Sequence, residues 1–314
     1  MYRTVGEILD ELDMQVLGRL LNNCRESDRQ VGRELGISGG AVRSRVKKMQ
    51  EAGVIERFAL RVEPPMLGRG LFYIVVTGRD PDEILRQARF VGEPYLVAPC
   101  VGGVTVCGIV AEDDVQERIE LAKNLMRDVR VLSIFEAGGP EIDPGLTRTD
   151  LAIMGELVED PRRKIEDVAR AAGLSTKTVA RSIEKLHRSD SVYFTLVYDP
   201  TKMGAFIPFA VMAWAQDARA ALPGLEAVFS DHFLQAPFIA KNHVVLFMYG
   251  GDVFQLDDLT QRARDVPGVG SADLFIPKSI LFPPGWIRSV IEDAGRSPTL
   301  RLSNRIARVP AQPG

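Results

Sequence analysis

The chain has 314 residues, 46% of them hydrophobic, 26% charged and 7% aromatic. That length implies about two to three domains, and the composition excludes a globally disordered chain. The net charge is −3, from 39 Lys plus Arg against 42 Asp plus Glu, so contact with nucleic acid has to come from locally clustered cations. With three cysteines (Cys24, Cys100, Cys107), no CxxC and three His, neither a structural zinc site nor any other metal or cofactor is expected. No apolar run reaches about 18 uncharged residues, the length that spans a membrane. The stretch MYRTVGEILDELD is acidic and unlike a secretory signal, so a cytoplasmic protein is expected.

An internal repeat sets the domain plan. One gap-free offset carries Asp13 onto Asp150, Gly18 onto Gly155, Gly36 onto Gly173, Ser38 onto Ser175, Val42 onto Val179 and Lys48 onto Lys185. Agreement held in register over a whole three-helix segment is the mark of a tandem duplication. In the first copy, Val16, Leu17, Leu20 and Leu21 form one apolar stripe at helical spacing. A short helix follows from about Asp28, burying Val31 and Leu35. Gly36 ends it, as expected of a residue that must take positive φ at a helix C-terminus. Ser38 is placed to N-cap a third helix that buries Val42, Val46 and Met49. Two short helices joined by a tight Gly-containing turn predict a helix-turn-helix. The segment from Val54 to Val62 predicts the strand or strands of a wing.

After each head the pattern changes. Gly70 to Thr77 predicts a strand, Asp80-Pro81 starts a helix to about Phe90, and Tyr95 to Cys100 and Val104 to Ala111 are strands around Gly102-Gly103. A helix from Asp114 to Met126 and a strand from Val129 to Phe135 complete a βαββαβ unit, with helices on one face of an antiparallel sheet. The second copy repeats this order from Phe206 to Ile276. The expected fold is therefore α+β, with two winged helix-turn-helix domains alternating with two ferredoxin-like domains. The expected divisions are 1–67, 68–138, a linker at 139–148, 149–203, 204–281, and a C-terminal helix and basic tail at 282–314.

The segments LDELDMQVLGRLLNN and VGRELGISGGAVRSRVKKMQEAGVIERF, followed by the strand–helix unit, resemble the Lrp/AsnC family. The resemblance covers most of 8–137 and again about 146–278. It implies a DNA-binding head tied to a RAM-type ferredoxin-like domain that binds small effectors and forms oligomers. Relatives ordinarily carry one copy per chain, and this chain carries two.

A helix that enters the major groove needs small residues at its N-terminal end, donors on its outward face and cations for phosphates. Helical spacing turns Gly40, Ser44, Lys47 and Lys48 outward in the first head, with Ser38 at the start and Arg43 at the edge. In the second head it turns out Lys177, Arg181, Lys185 and Arg188. Arg57 and Arg61 add cations to the first wing; VYFTLVYDP in the second has none. Double-stranded DNA is the expected partner, addressed as an imperfect palindrome or direct repeat because the two faces differ.

The resemblance implies effector binding near the hairpin between the middle strands, where a Gly followed closely by Asp is common. Here that hairpin holds Gly102 and Gly103 without an acid in the first copy, and Asn242 and His243 in the second. These four are the effector candidates, and amino-acid sensing is not the expectation. Cys100 and Cys107 flank the first hairpin and are expected as buried reduced thiols. An enzyme is the alternative. Siroheme decarboxylases resemble the chain in architecture, but they use His with neighbouring Tyr and Arg around the middle strands, and VAPCVGGVTVCGIV and LQAPFIAKNHVVLF lack that cluster. The first strands of the two ferredoxin-like units are expected to pair within the chain as a pseudo-dimer, with two chains forming a homodimer or larger assembly.

Overall fold

The computed structural model describes residues 9–78, 80–126, 129–137, 145–189, 191–230 and 232–296. The first head is α1 (Glu11–Asn22), α2 (Asp28–Leu35) and α3 (Gly39–Glu51). Each start is capped: the Asp10 carboxylate takes Asp13 N–H, Ser27 Oγ takes Gln30 N–H, and Ser38 Oγ takes Ala41 N–H. Gly36 sits at φ 70°, so the α2–α3 corner uses the left-handed region that a side chain would strain. Val42, Val46 and Met49 are buried, as the spacing requires.

The strand β1 (Ile55–Val62) ends this head. Then come β2 (Gly70–Thr77), α4 (Pro81–Val91), β3 (Glu93–Pro99), β4 (Val104–Ala111), α5 (Val115–Leu125) and β5 (Arg130–Glu136). The second copy runs α6 (Arg148–Leu157), α7 (Ile165–Ala172), α8 (Thr176–His187), β6 (Val192–Tyr198), β7 (Ile207–Ala215), α9 (Ala218–Phe229), β8 (Phe233–Ala240), β9 (His243–Gly250), α10 (Val253–Arg264) and β10 (Val269–Phe275). A last helix, α11 (Gly285–Arg296), follows. Most of the expected linker and the basic tail beyond Arg296 lie outside the described residues.

Each ferredoxin-like unit forms a four-stranded antiparallel sheet, in the orders β3-β4-β2-β5 and β8-β9-β7-β10. Strand alternation explains why β2 and β7 read as unbroken apolar runs, since both faces are covered. Phe72, Ile74 and Val76 of β2 pack under α4 and α5, while Leu71, Tyr73 and Val75 face the other way. In β7, Phe209, Val211 and Ala213 pack under α9 and α10, and Met212 lies in the cluster that holds Tyr73. The two sheets therefore face one another. Tyr73 meets Phe238 at 5.9 Å between ring centroids, and Phe135 stacks on His243 at 4.1 Å.

This corrects the expectation that β2 and β7 pair with each other. The strands that do pair between copies are β1 and β6, in a two-stranded antiparallel ribbon. The strand read as the wing of each head is thus completed by its counterpart in the other copy. The ribbon is close to two-fold symmetric: Phe58 opposes Leu196 and Ala59 opposes Thr195, and the repeat offset exchanges these two pairs. Neither strand can satisfy its backbone groups within its own copy, which is why the copies interlock.

The heads cross over as well. The apolar stripe of α1 lies with Leu196 and Tyr198 of β6, Leu234 of β8 and Tyr249 of β9. Tyr249 donates its hydroxyl to Glu11 Oε1 at 2.7 Å, and Thr195 Oγ1 donates to the Leu21 carbonyl at 2.7 Å. The second head rests on Leu60, Val62, Met66 and Leu67, and on Trp286, Ile287 and Val290 of α11. The heads also touch directly, where Arg25 donates to the carbonyls of Pro161 and Arg163.

Candidate nucleic-acid interface

A buried acid aims each third helix. Asp13 is fully buried in α1 and receives Arg45 Nη1 at 2.7 Å and Lys48 Nζ at 3.2 Å. The second head repeats this with different donors: Asp150 receives Ser182 Oγ at 2.5 Å, Lys185 Nζ at 2.6 Å and Thr147 Oγ1 at 2.7 Å. Burial alone would raise the Asp150 carboxyl, but the Lys185, Ser182 and Thr147 donors outweigh it and hold its pKa below the ordinary value. Lys48 and Lys185 were expected on the outward strip. The helical period turned them outward, whereas each reaches back to the acid on the first helix of its head, because the period carries no information about a neighbouring helix. Asp13 and Lys48 recur in the second copy as Asp150 and Lys185, and that recurrence was the available signal. Arg45 was missed because its counterpart is Ser182.

The rest of the strip is exposed. Ser38, Gly40, Arg43, Ser44 and Lys47 face outward on the first head, and Lys177, Arg181 and Arg188 on the second. Gly40 and Ser44 keep the N-terminal half of α3 low enough for a backbone to approach a groove floor. Arg43 lies 2.9 Å from Asp28 with its side chain 81% exposed, Lys47 lies 3.6 Å from Glu51, and Arg188 lies 2.5 Å from Glu184. Exposed pairs of this kind are worth about 1 kcal/mol or less and exchange readily for phosphate. Among the described residues, Lys177 and Arg181 have no acid within 4 Å, so the second strip is the less neutralised. Arg57 is exposed on the ribbon but donates Nη2 to the Phe282 carbonyl at 3.1 Å. Arg61 is not on a wing surface at all; it points between the sheets, against the Tyr193 ring at 4.1 Å.

The four effector candidates fall on two separate hairpins. Gly102 (φ 81°) and Gly103 (φ 75°) form the β3–β4 turn, and Val101 N–H donates to Ile276 of the other copy at 2.8 Å. Asn242 Nδ2 ties its hairpin to the end of β7 by donating to the Gln216 carbonyl at 3.1 Å. His243 is half-buried against Phe135, with Nδ1 buried and without a hydrogen-bond partner; desolvation lowers its pKa. All three cysteines are free and buried, and burial pushes Cys100 up to about 11 and Cys24 and Cys107 up to about 12. Thiolates are therefore scarce near neutral pH. Among the described residues no group of three or more His, Cys, Asp or Glu has a metal-binding arrangement, and no helix is long and apolar enough to cross a membrane.

Two capped three-helix heads, crossed over a shared ribbon and each followed by a βαββαβ sheet, define a duplicated helix-turn-helix protein with paired ferredoxin-like domains. A profile of the AsnC-type helix-turn-helix domain matches residues 9–50 and 146–187, which are the two heads. The chain is 30% identical over 156 residues to an uncharacterized HTH-type transcriptional regulator of Pyrococcus abyssi, covering 50% of this chain and 98% of that protein. It is 36% identical over 97 residues to the HTH-type transcriptional regulator LrpA of Pyrococcus horikoshii, covering 28% and 67%. Against the HTH-type transcriptional regulator Ptr1 of Methanocaldococcus jannaschii it is 48% identical over 61 residues, spanning 19% of this chain and 41% of that relative. Among solved structures, siroheme decarboxylase NirDL aligns with a TM-score of 0.47 at 14% identity, covering 91% of this chain and 100% of that one. E. coli AsnC aligns with a TM-score of 0.30 at 21% identity, covering 43% and 97%. The chain belongs to the Lrp/AsnC family of helix-turn-helix regulators.

Proposed function

We propose that this chain is a sequence-specific, double-stranded-DNA-binding transcriptional regulator that reads the major groove with α3 and α8. The observation that carries this reading is the recurrence in both heads of an exposed cationic helix face braced from behind by a buried acid on the first helix. Ser38, Gly40, Arg43, Ser44 and Lys47 contact DNA from the first head, and Lys177, Arg181 and Arg188 from the second. Lys48 and Lys185 act by holding the helices. Arg57 is an accessory phosphate contact. Two heads on one chain address half-sites about 34 Å apart, one helical turn. Because α3 and α8 differ in every outward cation, the operator is an imperfect palindrome or direct repeat. With DNA as its ligand, the protein works in the cytoplasm. Homo-oligomers form through the helical layers, where Phe90 and Phe254 are exposed.

Binding to promoter fragments, followed by fluorescence anisotropy over a salt series, tests the reading. Arg43→Ala with Lys47→Ala, and separately Lys177→Ala with Arg181→Ala, should each weaken binding tenfold or more. Each cation removed from a phosphate should flatten the salt slope by about 0.9. Unchanged affinity in both double variants refutes the assignment of these faces. An enzyme of the siroheme-decarboxylase kind is less well supported, because the cavity between the sheets contains Tyr73, Tyr95, Arg61 and Glu63 but no His among its lining residues. A tetrapyrrole-dependent absorbance without DNA binding would favour it.

A further inference from the structure

Between the two sheets lies a cavity of about 110 Å³, walled by Tyr73, Tyr95, Met212, Phe238, Phe247 and Phe275. Its apolar wall is interrupted at one end by Arg61 and Glu63 of the first copy. Glu63 Oε1 accepts the Tyr95 hydroxyl at 2.8 Å and lies 3.5 Å from Arg61 Nε, an ion-pair distance too long for a hydrogen bond. The Arg61 guanidinium makes no hydrogen bond to any described residue, and its Nε is buried without one. The guanidinium is instead held between rings, with Tyr193 at 4.1 Å and Phe282 at 5.9 Å from its carbon. Stacking of this kind fixes the guanidinium plane and leaves its edge, where the donors are, unspent. An Nε–H withdrawn from bulk water and given no acceptor is costly unless something supplies one.

We infer that this cavity binds one small aromatic carboxylate per chain, with the carboxylate on the donor edge of Arg61 and the ring among Tyr73, Met212, Phe238 and Phe247. A planar carboxylate matches the guanidinium fork with two parallel hydrogen bonds, which a hydroxyl or an amide carbonyl does not. The volume, about 110 Å³ against roughly 150 Å³ for an engineered cavity that accepts benzene, limits the occupant to a single ring. Stoichiometry follows from the broken repeat. The offset that relates the copies puts Tyr198 at the place of Arg61 and Pro200 at that of Glu63, so the second end of the cavity has no cation to offer. The site is distinct from the two hairpins that hold Gly102, Gly103, Asn242 and His243, none of which lines it. It stands whether or not the heads bind DNA.

Calorimetry with benzoate and phenylacetate as probes, and benzyl alcohol as the uncharged comparison, tests the site. One site per chain and at least tenfold tighter binding of the carboxylates are expected. In Met-methyl NMR of the wild-type protein, benzoate should move the Met212 resonance, assigned from Met212→Leu, and leave Met14 and Met154 of the heads unmoved. Arg61→Met with Glu63→Gln, which removes both charges together, should abolish the preference for carboxylates. Ala210→Leu, which fills the cavity from β7, should abolish binding of both ligand types. Equal affinity for benzoate and benzyl alcohol, two sites per chain, or a Met212 resonance indifferent to benzoate overturns the inference, and the wild-type measurements decide it even if a variant fails to fold.

Discussion

His243 shows how a residue picked out by type acquires its meaning from its neighbours. It was an effector candidate because it stands at a hairpin tip, but its ring is stacked on Phe135 and its flanking contacts are structural. Lys241 pairs with Glu136 at 2.8 Å, and the Asp273 carboxylate acts on the ring from β10, two strands away in the same sheet. Desolvation dominates these influences and depresses its pKa. A histidine depressed in the folded state binds a proton more readily in the unfolded chain. Its contribution to stability is therefore complete above the ordinary value of 6.5 and is lost as the pH falls from there toward the folded value. The melting temperature should drop between pH 7.5 and 5.5 by more in the wild type than in His243→Phe, which keeps the ring stack and removes the titration. Equal drops would exclude His243 as the source. Lys48 teaches the complementary lesson. Periodicity turned it outward, and its turn toward Asp13, 35 positions away in sequence, was not legible from the helix alone.

At the scale of elements, the limits of helices and strands were almost fully legible. Caps marked them: Ser38, Asp80 and Asp114 stand where a side chain must accept the free N–H groups of a first turn. What periodicity could not convey was partner choice. The run VYFTLVY carries no alternation because both faces of β6 are buried, and such a run is equally consistent with several partners. α11 is the clearest case of an element whose sequence disclosed its existence and not its purpose. It packs against both α6 and β3, so the second head is seated through an extra layer, whereas α1 of the first head lies directly on β8. Trp286, Ile287 and Val290 are buried there, and Trp286 meets Tyr95 edge-on at 6.3 Å. Burying a Trp, an Ile and a Val contributes on the order of 5 kcal/mol. A chain ending at Pro284 should lose amide-exchange protection in α6–α8 and keep it in α1–α3. Equal loss in both heads would mean that α11 serves the whole molecule.

At the scale of the molecule, the shared ribbon and the crossed heads make the two copies inseparable without unfolding. α1 leans on β8 and β9, β1 is paired along its length with β6, and the segment after β10 runs back along the edge of β3 through Val97–Leu281 and Cys100–Pro277 bridges. A break in the chain placed between residues 137 and 145 should therefore leave the halves associated. Co-expressed halves should co-purify with the melting cooperativity of the intact protein, and either half alone should aggregate or fail to fold. Halves that separate and fold independently would show that the crossed contacts are incidental.

The polar end of the inter-sheet cavity has a further consequence. In a dimer of identical chains every substitution is made twice, so an arginine and a glutamate placed near the symmetry axis would arrive with a second, unwanted pair across it. Joining the copies in one chain lifts that constraint. Arg61 and Glu63 occupy one side while Tyr198 and Pro200 occupy the matching positions on the other. Each half is free to specialise, one toward chemistry and the other toward packing, and a single molecule carries a left and a right that no symmetric pair could keep apart.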